Sequence, residues 1–108
     1  MSRQPEGRLV KNILDFLNAN YPGYWRKIHG GPFQRRGIPD ILGCYRGRFV
    51  GIEVKEKGNK PTMLQIDNGK EIIGRGKGIW MVAYSVDDVK KAMQKHFKKV
   101  VNDELQYS

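Results

Sequence analysis

Asp40, Glu53 and Lys55 have the residue types and the spacing for chemistry at a divalent cation. Glu53-Val54-Lys55 reads as an extended strand. Its acid and its base point to one face, about 6.6 Å apart along the chain. Ile52 and Val54 turn to the other face, into a core. Arg46-Gly47 separates two runs rich in β formers and suits a two-residue hairpin loop. That loop pairs Tyr45 with Arg48, Cys44 with Phe49 and, carried along the strands, Asp40 with Glu53. Directly opposed residues hold their Cβ atoms about 4.5–5.5 Å apart, and like charges there repel. A divalent ion between them is the natural remedy, because Mg²⁺ favours oxygen ligands and needs few protein groups. Taken singly, each residue has a plainer reading. Glu53 and Lys55 would screen each other on a surface strand, and Pro39-Asp40 would simply open one.

Glu6 belongs to the same question. On a helix it shares a face with Val10, Ile13 and Leu17. An acid on an apolar stripe either points into a site or is a first-turn acid favoured by the helix dipole. The neighbouring Gly7 costs helix stability, which predicts a close approach there.

The elements that must position these groups follow from periodicity. A first helix is predicted from about Pro5 to Asn20, where Asn20-Tyr21-Pro22-Gly23 stops it. Tyr24 to His29 reads as a short strand, and residues 30–37 as a glycine-rich loop. Asp40–Tyr45 and Arg48–Lys55 form the hairpin. Gly58-Asn59-Lys60-Pro61 is a turn, and a helix follows over residues 62–74. Gly78 to Tyr84 is a nearly continuous apolar run and predicts a buried central strand. Ser85 caps a last helix with Val86, Val89, Met93 and Phe97 as its stripe and lysines opposite. The order is α-β-β-β-α-β-α, a mixed sheet flanked by helices.

A chain of 108 residues fits one domain over 1–108, with a core over about 5–99 and an uninformative tail over 100–108. The lone Cys44 excludes an intramolecular disulfide and a multi-cysteine zinc site. It suggests a reduced, intracellular setting and reads as a small core residue. No run approaches a membrane span, and Met-Ser-Arg-Gln-Pro-Glu lacks a signal-peptide stretch. The net charge of +9 implies a polyanionic partner, most often nucleic acid. The basic residues are spread over several segments: Arg26, Lys27, Arg35 and Arg36, then Arg46 and Arg48, Lys57 and Lys60, Arg75 and Lys77, and the C-terminal lysines. Contacts of this kind position a duplex without reading its sequence. Arg35 and Arg36, just ahead of Asp40, are the expected grip on a nucleic-acid backbone. Arg26, Lys27, Lys57 and Lys60 are further expected DNA contacts. His29 reads as a strand-end residue or a phosphate contact, not a ligand.

Gly37-Ile38-Pro39-Asp40 followed by Glu53-Val54-Lys55 resembles the signature of the PD-(D/E)XK nucleases. With Glu6 in an early helix and Gln65 early in a later one, the pattern resembles the VRR-NUC (virus-type replication-repair nuclease) branch over roughly residues 5–85. The resemblance implies an α/β, restriction-endonuclease-like core and metal-dependent hydrolysis of phosphodiester bonds. It implies that Asp40, Glu53 and the Val54 carbonyl ligate Mg²⁺, with Mn²⁺ as the alternative. Glu6 would bind through water or a second ion, and Lys55 would orient a water or stabilise charge. It favours a site role for Gln65, although Thr62-Met63-Leu64-Gln65 also fits a capping box. Short chains of this kind resemble viral or phage members that cut branched DNA as homodimers, similar to Holliday-junction resolvases. A phage origin would place the activity in the host cytoplasm. The competing expectations are a flap- or nick-directed nuclease, a basic DNA-binding module without catalysis, and a scaffold that meets an acidic partner. The last two give no reason for opposed acids.

Overall fold

The computed structural model describes residues 6–30 and 35–98. Its elements run α1 (Glu6–Asn20), β1 (Tyr24–Lys27), β2 (Ile41–Tyr45), β3 (Arg48–Val54), α2 (Met63–Gly74), β4 (Ile79–Ala83) and α3 (Val86–His96). The predicted order holds, with boundaries moved by a residue or two. β1 ends at Lys27, yet Ile28 N–H still donates to the Asp40 carbonyl at 2.8 Å. Pro5 and the tail from Lys99 onward lie outside the described residues.

The four strands stand in the order β1-β2-β3-β4, antiparallel except for the parallel β3–β4 pair. The β2–β3 register is the one that a two-residue loop dictates: Tyr45 faces Arg48, Cys44 faces Phe49 and Ile41 faces Ile52. Arg46 and Gly47 both have positive φ, 51° and 82°. This is the backbone twist that tight hairpins require, and glycine supplies it without steric cost.

Leu9, Val10, Ile13 and Leu17 of α1 and Val89 and Met93 of α3 form one core with Ile41, Val50, Ile52, Val54, Ile79 and Ala83 of the sheet. Trp25 and Tyr21 close that core, and the Trp25 indole N–H donates to the Tyr21 carbonyl at 2.8 Å. The alternate residues of β3 face the other way. A side chain at Gly51 would meet Ile72 of α2 and Pro39, and one at Gly69 of α2 would meet the Trp80 ring. So α2 covers the β3–β4 half of the second face.

Three expectations are corrected. β4 is an edge strand, not a central one. Its run is apolar because helices flank it on both faces, α2 on one and α3 on the other. Among the described residues no atom lies near the position of a side chain at Gly7, so none of them approaches closely there. Cys44 is exposed and is not a core residue.

Candidate active site

The carboxylates meet where β2 begins and β3 ends. Gly37, with φ of 85°, turns the chain against Leu64 and Asn68 of α2, where a side chain would clash. From there Ile38 and Pro39 lead into β2 and set Asp40 at its mouth. Asp40 Oδ2 accepts a hydrogen bond from Val54 N–H at 2.8 Å. The regular ladder ends at Ile41–Ile52, and this side-chain bond ties Asp40 to β3 just past that end.

Glu53 is only 2% exposed, although it carries a carboxyl. One of its oxygens, Oε1, is buried without a hydrogen-bond partner. The other, Oε2, lies 4.0 Å from Lys55 Nζ. The Glu53 carboxyl is pushed up to about 8. Burial is the main cause, followed by the Asp40 charge and a hydrogen bond shared with the Asp40 carboxyl. Lys55 opposes the shift, and Glu6 adds a smaller push upward. Glu6 is therefore electrostatically in touch with the pair from the first turn of α1.

The resulting group is Asp40, Glu53, Lys55 and the Val54 backbone, with Glu6 at its edge. Among the described residues, no three His, Cys, Asp or Glu side chains gather as a metal cage. The side-chain donors that meet here are the carboxylates of Asp40 and Glu53. That suits a hard cation that keeps several waters and takes one or two carboxylates from the protein. The buried Glu53 oxygen without a hydrogen-bond partner is a free donor for such an ion. The residues fit the implied ion.

Arg35 and Arg36 line a cavity of about 250 Å³ with Ile28, Gly30, Ile38, Pro39 and Asp40. Both arginines thus share a cavity wall with one of the site acids. Ile28 and Gly30 were not expected there, although the register that sets Ile28 against Asp40 implies it. Arg26 instead stacks on Tyr24, 4.1 Å from the ring centroid, and donates to the Trp25 carbonyl at 2.9 Å. Lys27 and His29 are exposed near the end of β1. Lys57 and Lys60 are exposed in the turn before α2, which the Tyr84 hydroxyl steadies by donating to the Asn59 carbonyl at 2.7 Å.

Gln65 sits in a complete capping box. Its Oε1 accepts from Thr62 N–H at 2.8 Å, and its own N–H donates to Thr62 Oγ1 at 3.2 Å. The carboxamide oxygen is committed to the helix end.

The fold is an α/β sheet flanked by helices, with an acid pair and a lysine where the hairpin opens. A solved VRR-NUC domain aligns with 85% of this chain and 96% of its own length, at 30% identity and a TM-score of 0.66. The chain belongs to the VRR-NUC family. A second solved VRR-NUC domain protein, 17% identical, shares the fold over 91% of this chain and 92% of its own, with a TM-score of 0.70. No family model and no curated protein matches the chain.

Proposed function

We propose that this nuclease-type domain is a metal-dependent, structure-selective DNA endonuclease that hydrolyses phosphodiester bonds in branched DNA such as four-way junctions. The observation that carries the reading is the buried Glu53 held against Asp40 with an oxygen left unpartnered. A fold gains nothing from a buried Glu53 set beside the half-buried Asp40 unless something cationic joins them. A basic module without catalysis gives no reason to keep them.

Asp40, Glu53 and the Val54 carbonyl would hold Mg²⁺, or Mn²⁺, with Glu6 reaching it through water. A divalent ion there supplies charge neutralisation at the phosphate and acidifies a bound water. Lys55, beside Glu53, orients the attacking water or stabilises the charge that develops on the phosphoryl oxygens. Arg35 and Arg36 grip the backbone on the Asp40 side. Gln65 is left a lesser role, since its oxygen caps α2.

The test is incubation with linear, nicked, flapped and four-way DNA, in Mg²⁺ or in EDTA. Cleavage is expected only with metal and is lost in Asp40→Asn and Glu53→Gln. Cleavage in EDTA, or activity retained in either variant, would sink the mechanism. Cutting a junction symmetrically calls for a two-fold homodimer. A strict monomer by sedimentation would redirect the reading to flaps or nicks.

A further inference from the structure

The sheet face that carries Asp40 and Glu53 is only half covered. α2 lies over β3 and β4, while the β1–β2 half has no helix on it among the described residues. The register fixes what this open half presents. Tyr24 pairs with Cys44, which pairs with Phe49, so the three stand in one row across adjacent strands. Arg26 and Leu42 form the next row towards the site. Tyr24 is 58% exposed, Phe49 is 41% exposed, and Cys44 between them is exposed. The Arg26 guanidinium lies over the Tyr24 ring.

Two large aromatic side chains on an open strand face are costly to leave in water. Their position relative to the acids indicates what they meet. Phe49 and Glu53 lie four residues apart on one face of β3, about 13 Å along the strand. That is a few nucleotides of a DNA strand. The strip between row and site is flanked by Arg26 and leads to the cavity lined by Arg35 and Arg36. The open half carries no acid apart from the site pair. A second copy docked through the same face would set Arg26 against Arg26, with no acid in the rows between to offset it. A nucleic-acid strand brings phosphates for the arginines and flat bases for the rings.

We infer that this half-open sheet face is a stacking platform for unpaired bases of the substrate strand, with Tyr24, Phe49 and the Arg26 guanidinium plane as its surfaces. The inference takes from the nuclease reading that DNA lies across this face. It adds that the substrate reaches the site with bases out of the duplex stack, as at a gap, a flap or an opened junction. Every base has a π-face, so such a platform grips single strands without reading sequence.

The test uses the full-length chain in EDTA, so that binding is separated from cutting. The probes are a single-stranded oligonucleotide carrying 2-aminopurine and a blunt duplex of the same length. The wild-type chain is expected to change the 2-aminopurine fluorescence. Tyr24→Ala should lose about tenfold in single-strand affinity, with duplex affinity held within about twofold. Phe49→Ala should shift the same way, and Tyr24→Phe should retain binding. Equal losses on both probes, or no loss in either alanine variant, overturn the inference. So does a wild-type dimer that sediments as a monomer in Tyr24→Ala, because the face would then be a self-interface. Tyr24-dependent single-strand binding without cleavage in Mg²⁺ would leave the platform standing and remove the catalytic reading. Cleavage that is indifferent to Tyr24 and Phe49 would do the reverse.

Discussion

Glu53 is where the fold and the proposed chemistry make opposite demands. In the metal-free chain its carboxyl is raised from 4.5 to about 8, chiefly by burial and then by Asp40. Between those limits the folded chain holds a proton that the unfolded chain has released. Metal-free stability from this group is therefore greatest below pH 4.5 and is lost as pH rises through about 8. Glu53→Gln keeps the shape and removes the ionisation. Thermal melts in EDTA from mildly acidic to mildly alkaline pH should show the wild type losing stability relative to Glu53→Gln as pH rises. Two parallel curves would show that Glu53 does not titrate inside the fold. Mg²⁺ replaces the proton, so its affinity should climb with pH and level off near 8.

The elements show where sequence reasoning reaches and where it stops. The hairpin was legible because a two-residue loop permits one register, which holds from Tyr45–Arg48 to Ile41–Ile52 and ends next to Asp40 and Glu53. The capping box at Thr62 was legible because its two hydrogen bonds are local. Its stabilising share can be measured. Thr62→Ala should cost about 1 kcal/mol by chemical denaturation. A negligible change would mean that packing against β4, not the cap, starts α2. The edge position of β4 was not legible. An apolar run reports cover on both faces, and two helices provide that as well as neighbouring strands would. Gly7 misled because a helical glycine records a missing side chain without saying what stands nearby. Cys44 misled because a small thiol suits a core, while pairing with Tyr24 sets it on the open face. The platform row escaped notice for a related reason. Tyr24 and Phe49 sit far apart in the chain, and only the three-strand register sets them side by side.

Across the whole molecule, a net charge of +9 accompanies a site built on acids. Phosphate is repelled by those acids and drawn by the net positive charge of the chain. Binding and cutting should therefore respond to different ions. Raising monovalent salt should weaken DNA binding steeply, with a linear fall of log affinity against log salt. Arg35→Ala combined with Arg36→Ala should make that slope shallower by about 2. An unchanged slope, measured by fluorescence anisotropy, would remove the arginine pair from the DNA path.

The edge position of β4 also bears on solubility. Ile79-Trp80-Met81-Val82-Ala83 is apolar, uncharged and free of proline, and no strand pairs its outer side among the described residues. A segment of that composition, briefly uncovered when α2 or α3 frays, is a template for pairing with other copies. The positive charge keeps those copies apart. Salt that strips the chain from DNA screens this repulsion as well. The same charge that draws the chain to DNA thus guards it against aggregation.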